Sequence, residues 1–99
     1  MPDTITVTMI LALKPEAVAP FRASFPVMVE DTRKFPGFRD IRVLHNADRP
    51  NEVILIEEWA SRADHEAYVT FRTETGVMDQ TAQMVTEPPR LDYWDARIV

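Results

Sequence analysis

The chain contains no cysteine, which removes disulfides, thiolate zinc sites, iron–sulfur clusters and thiol nucleophiles together. Histidine is nearly as scarce: His45 and His65 are the only two, too few for a histidine-rich catalytic metal centre. Glycine occurs twice, at Gly37 and Gly76, so there is no glycine-rich loop to cradle a phosphate, and nucleotide binding has no support. Basic residues number 11 against 16 acidic ones, for a formal net charge of −5. An acidic domain without a run of basic residues repels a phosphate backbone, and nucleic acid is not expected as a partner. No apolar run approaches the length of a membrane span. The start, Met1-Pro2-Asp3-Thr4, lacks the basic segment and apolar stretch of a secretory leader. The expectation is a cytoplasmic protein with no metal, no cofactor and no membrane partner.

What is present is a chain of 99 residues, 45% of them hydrophobic. That predicts one domain over residues 1–99 with a real core, and self-association as a supplement to it. Ile5 to Leu13 sets Ile5, Val7, Met9 and Leu11 on one face and Thr4, Thr6 and Thr8 on the other, which predicts a strand. Lys14-Pro15-Glu16 breaks that strand and opens a helix whose stripe runs Val18, Phe21, Phe25, Met28, Val29, Thr32 and Phe35. Pro20 and Pro26 each remove a backbone donor, so a late start and a kink are expected. Phe35-Pro36-Gly37-Phe38 reads as the stop and turn.

A second strand is predicted over Arg39 to Asn46 and a third over Glu52 to Trp59, joined by the polar loop Ala47 to Asn51. Ser61 and Asp64 stand at the spacing of a capping box for a second helix, which Gly76 closes. A short third helix over Val77 to Glu87 and a last strand over Leu91 to Ile98 complete the order. The result is an α+β, ferredoxin-like βαββαβ chain: a four-stranded antiparallel sheet with helices on one face. The open face then carries Thr6, Thr8, Ile10, Ile54 and Ile56, half apolar, and is expected to pair with a second copy.

Phe35-Pro36-Gly37-Phe38, the strand end Glu57-Glu58-Trp59 and the stretch Ser61-Arg62-Ala63-Asp64-His65-Glu66-Ala67-Tyr68 resemble the antibiotic biosynthesis monooxygenase family. The resemblance implies a dimeric α+β barrel, in which two such sheets pack face to face with the helices outside. It also implies chemistry seen among its members: cofactor-independent oxidation of aromatic polyketides, quinol oxidation, or haem degradation. The family's strand-end Trp is matched by Trp59. Where the polyketide oxygenases carry an Asn four residues earlier, this chain has Leu55, and where they carry a Tyr six residues later it has His65. Many small members have a His nine residues after the Trp; here it is Tyr68. The haem degraders have a Trp at that place and a His about ten residues on. Tyr68 and Met78 stand there instead, so haem chemistry is not implied.

On this reading a small aromatic quinol, anthrone or polyketide-like substrate binds between sheet and helices, with His65 as base, Tyr68 as donor and Trp59 as stacking wall. Leu55, Glu57, Phe25, Met28 and Phe71 complete the pocket. Each residue also has a structural reading. Trp59 is either a core residue or a pocket wall. Glu57 is either paired with an Arg or, buried without a cation, raised in pKa. The second helix is read with Asp64, Ala67, Tyr68 and Phe71 on its inward stripe, which leaves His65 on the flank and Arg72 on the solvated face. One of Tyr93 and Trp94 faces the helices. A non-redox isomerase or cyclase, or a binding dimer without chemistry, would use the same scaffold. An RNA-binding module of this topology needs aromatic residues exposed on its central strands, and Thr6 and Thr8 exclude it.

Overall fold

The structure is a computed structural model that describes residues 4–95 and 97–99. Met1 to Asp3 and Ala96, which fall in the start and in the last strand as read above, lie outside the described residues. The elements run β1 (Ile5–Ala12), a 3-10 turn (Pro15–Ala17), α1 (Val18–Thr32), β2 (Phe38–His45), β3 (Glu52–Trp59), α2 (Arg62–Glu74), α3 (Val77–Met84) and β4 (Arg90–Trp94). The strands form one antiparallel sheet in the order β2-β3-β1-β4. With β1 and β3 central, each helical crossover passes over one neighbouring strand, which is the ferredoxin-like α+β arrangement.

Strict alternation is visible in β3, where Val53, Leu55, Glu57 and Trp59 are buried and Ile54, Ile56 and Glu58 are half-buried on the other face. The register sets Glu57 beside Val7 and Val7 beside Tyr93. A second row on the same face sets Leu55 beside Met9 and Met9 beside Leu91. These two rows form the floor beneath the helices. Trp94 points to the open face, 53% exposed, and donates from Nε1 to Thr8 Oγ1 at 2.7 Å.

The helix α1 begins at Val18, so Pro20 falls in the first turn, where its missing N–H has no intrahelical acceptor to lose. Pro26 sits in the interior, and the helix continues through it to Thr32. Both Pro26 and Arg22, whose carbonyl it leaves without a helical donor, are exposed, so water reaches that group. Two expected boundaries move. The short helix α3 stops at Met84, before the anticipated Glu87, because Val85 bridges Leu13 and the Thr86 N–H donates to Ala12 O at 2.8 Å. The last strand spans Arg90–Trp94 and does not reach Ile98. Among the described residues no helix is long and apolar enough to cross a membrane.

Candidate active site

The start of α2 is fixed from two sides. Ser61 accepts from the Asp64 N–H at 3.1 Å, the expected cap. Gly37 carries φ +86°, and a Cβ there would lie 2.5 Å from the Asp64 side chain. Only glycine serves a left-handed turn that presses this closely on a helix. The Ala60 N–H also donates to Gly37 O at 2.7 Å. The Phe-Pro-Gly-Phe turn and the Ser61 cap therefore set the rotation of α2 over the sheet.

That rotation differs from the sequence reading. His65 is buried at 1% exposure and Arg72 at 8%, while Phe71 is 44% exposed and Ala67 faces solvent. The inward stripe is His65, Tyr68 and Arg72, at spacings of three and four. His65 is thus not on the flank and Arg72 not on a solvated face. Phe71 leans on Phe35, with ring centroids 5.5 Å apart.

A cavity of about 740 Å³ lies between the Leu55–Met9–Leu91 row, with Glu57 and Leu11 beside it, and the three helices. Of the residues singled out from sequence, His65, Tyr68, Leu55, Glu57, Phe25 and Met28 line it; Trp59 and Phe71 do not. Trp59 is fully buried behind the wall, with its ring 5.0 Å from Tyr68, 5.4 Å from His65 and 5.5 Å from Phe38. Because the odd face of β3 ends under the first turn of α2, its indole is roofed by side chains and presents no face to a ligand. Its Nε1 donates to Glu57 Oε1 at 2.9 Å. Glu57 therefore has a neutral partner in place of the anticipated Arg. Burial pushes its carboxyl above the ordinary carboxylate range, opposed by that hydrogen bond.

His65 Nδ1 shares a hydrogen bond with Tyr93 Oη at 2.8 Å. Among the described residues no buried side-chain nitrogen or oxygen lacks a partner. Among them Nε2 has no protein partner, and because His65 lines the cavity, Nε2 opens on it. Burial pulls the imidazole from 6.5 down to about 4, opposed by Glu66. At neutral pH the ring is uncharged and able to accept a proton, although the imidazolium is disfavoured until an anion forms beside it. The phenol of Tyr93 is raised by burial and by Glu66, against the Arg62 guanidinium 4.1 Å from its ring centre. It stays protonated and orients the imidazole. Tyr93 is thus the helix-facing member of the Tyr93–Trp94 pair.

Tyr68 is held on both sides. Its hydroxyl accepts from Arg72 Nε at 2.9 Å and lies 2.8 Å from Thr32 Oγ1. The Thr32 hydroxyl donates to Met28 O at 3.1 Å, so the Tyr68 hydrogen goes to Thr32. With its one hydrogen engaged, Tyr68 has no donor left for a ligand. Sequence reasoning missed Arg72 and Thr32 as members of the site and left Tyr93 open against Trp94. The spacing of His65, Tyr68 and Arg72 was available as a signal, but charge argued against it. Thr32 lies on the stripe of the first helix, where periodicity alone assigns it only packing.

The family described as antibiotic biosynthesis monooxygenase matches the chain over residues 4–71. No curated protein matches its sequence. Solved structures share its fold at low identity. A conserved protein from Methanosarcina mazei Go1 superposes with a TM-score of 0.86 at 18% identity, over 97% of this chain and 95% of that one. An antibiotic biosynthesis monooxygenase gives 0.82 at 22% identity, over 94% and 98%. A candidate antibiotic biosynthesis monooxygenase from Nitrosomonas europaea gives 0.79 at 20% identity, over 99% and 94%.

Proposed function

Because the chain belongs to the antibiotic biosynthesis monooxygenase family, we propose that it is a cofactor-independent monooxygenase acting on a small aromatic quinol, anthrone or polyketide-like substrate with O₂. The observation that carries this reading is the cavity of about 740 Å³, mostly apolar, onto which the free Nε2 of a neutral, oriented His65 opens. Its size and lining suit a flat organic molecule removed from water. In the tautomer whose Nδ1–H donates to Tyr93 Oη, His65 Nε2 takes a proton from the substrate, and the imidazolium is stabilised by the anion it has just formed. The electron-rich anion then reduces O₂. For an anthrone, one oxygen atom ends on the ring carbon as the new quinone carbonyl and the other leaves with two hydrogens as water. The substrate supplies the electrons, and the protein supplies the base, the excluded water and the fixed dipoles.

The reading includes a cytoplasmic homodimer formed through the open sheet face. Ile10, Ile54 and Ile56 are half-buried there, with Leu44 48% and Trp94 53% exposed beside them. Sedimentation of the purified chain as two copies per particle is the expected result.

O₂ uptake over a panel of hydroquinones and anthrones, with autoxidation subtracted, tests the chemistry. We expect turnover by the wild type and a loss of about 100-fold or more in His65→Ala, with Gln83→Ala, an exposed position on α3, unchanged. Uptake equal in wild type and His65→Ala removes His65 as base. One observation favours a second reading: Leu55 lines the cavity where the polyketide oxygenases have an Asn. The same base then serves a proton transfer without O₂, as in an isomerase or cyclase. Solvent deuterium entering a bound carbonyl compound without O₂ uptake would select it.

A further inference from the structure

Among the described residues, the guanidinium of Arg72 is a cation held in the cavity wall without a counter-charge. Arg72 is 8% exposed, and a charged side chain is rarely buried this far unless it is paired. None of the ion pairs among the described residues includes it. Asp31 and Glu57 are the carboxylates of the cavity wall, and neither stands within ion-pair distance. Glu57 behaves as a carboxyl governed by burial and Trp59, with no neighbouring cation holding it down.

Neutral groups position the guanidinium without discharging it. Nε donates to Tyr68 Oη at 2.9 Å, and Nη2 donates to Thr32 Oγ1 at 3.1 Å and to Met28 O at 3.4 Å. The Tyr68 and Phe71 rings lie 5.2 and 5.6 Å from its centre, a partial compensation. Nη1 donates to no protein atom among the described residues. Since no buried side-chain nitrogen there lacks a partner, Nη1 meets the open cavity. It keeps N–H donors on a cation aimed by three fixed acceptors, and one of them can make a charge-assisted hydrogen bond to a carboxylate oxygen.

We propose that Arg72 is the anion-recognition residue of this cavity, so that its aromatic ligands enter already carrying a carboxylate. This deepens the oxygenase reading and rests on its cavity, but it does not require the O₂ chemistry. The aromatic body lies along the floor of Leu55, Met9 and Leu91, and the carboxylate engages Nη1. Tyr68 and Thr32 are positioning residues that hold the guanidinium in place.

Binding of 2-naphthoate and of its uncharged methyl ester to the intact protein at pH 7, by calorimetry, tests the assignment. The acid is expected to bind the wild type at least about tenfold more tightly than the ester, a ratio set by one charge-assisted pair. Arg72→Met removes that preference while ester affinity stays within about threefold, the ester reporting that the cavity survives. Arg72→Lys keeps the charge without the three anchoring hydrogen bonds and retains part of the preference. Equal binding of acid and ester by the wild type overturns the anion assignment and leaves the cavity reading intact. Binding of neither overturns the aromatic cavity itself, and this inference with it. Should Arg72→Met not fold, the wild-type ratio and Arg72→Lys decide: an acid preference unmoved by the lysine substitution places the carboxylate elsewhere.

Discussion

At one end of the sheet Leu11, Leu13, Phe21, Phe25, Val53, Leu55 and Val85 form a cluster of apolar side chains alone. At the other end Ile5, Val7 and Trp59 are surrounded by Phe35, Phe38, Tyr68 and Tyr93, with Glu57, His65 and Arg72 buried among or beside them. Both ends exclude water, but by different means. The apolar end gains free energy from area and close packing, roughly 1.5–3 kcal/mol for each large side chain fully buried. The aromatic end also buries polar atoms, each tied to a partner: Glu57 to Trp59, His65 to Tyr93, Arg72 to Tyr68 and Thr32. Burial there shifts the pKa values of Glu57 and His65, which is where proton transfer can be tuned. The apolar end builds stability, and the aromatic end uses some of it.

The sharpest way to separate the two is a truncation in the apolar end. Leu13→Ala, at a position with no exposure, should cost about 2–5 kcal/mol in urea unfolding. The cost should be the same at pH 5 and pH 8, and turnover per folded molecule should be unchanged. A pH-dependent cost would mean that the two ends are coupled.

The aromatic end should respond to pH instead. His65 has a folded pKa of about 4 against 6.5 ordinarily. As pH falls below 6.5 the unfolded chain gains the proton first, so stability is lost progressively down to about 4. This loss is on the order of 2–3 kcal/mol. His65→Gln, which can still bond Tyr93, should flatten that limb. An acid limb of unchanged depth would assign it to other groups.

The smallest expected effect has the opposite sign. The carboxyl of Glu57 is raised from 4.5 by burial, so its contribution is present below that value and is lost as pH rises through the folded pKa. Glu57→Gln, which keeps the acceptor for Trp59, should melt higher than the wild type at pH 8 and show no advantage at pH 4. A melting point lower at both pH values would show that the carboxylate has a buried partner beyond Trp59.

Much of the scaffold was legible in the chain because its signals are local. The alternation in Ile5 to Leu13 and Glu52 to Trp59 marked both central strands, and it told the buried face of each from the open one. Ser61 with Asp64 marked the start of α2, and Gly37 and Gly76, both at positive φ, marked turns in the left-handed region that glycine enters without strain. The floor of the cavity follows from those assignments, since residues two apart on a strand share a face whatever the strand packs against.

The candidate site was less legible, and α2 shows why. A helix of mixed composition offers more than one stripe, and adjacent stripes differ by a rotation of a single residue. Apolar character favoured Ala67 and Phe71, whereas the fold chose His65, Tyr68 and Arg72. That choice was made by the close contact of Gly37 with Asp64, by Tyr93 arriving from β4 to meet His65, and by Thr32 on α1 meeting Tyr68 and Arg72. Each of these partners is at least 27 residues away along the chain. Trp59 likewise read as a wall or as core with equal warrant until the roof over it was in place. Sequence by itself determined the order of elements, the faces of the central strands and the absence of thiols and glycine-rich loops, because backbone preference and side-chain alternation act within a few residues. Only the tertiary structure decided which polar side chains are dry, which are partnered and which nitrogen atoms open on the cavity, because burial and hydrogen-bond pairing depend on groups the chain brings together from far apart.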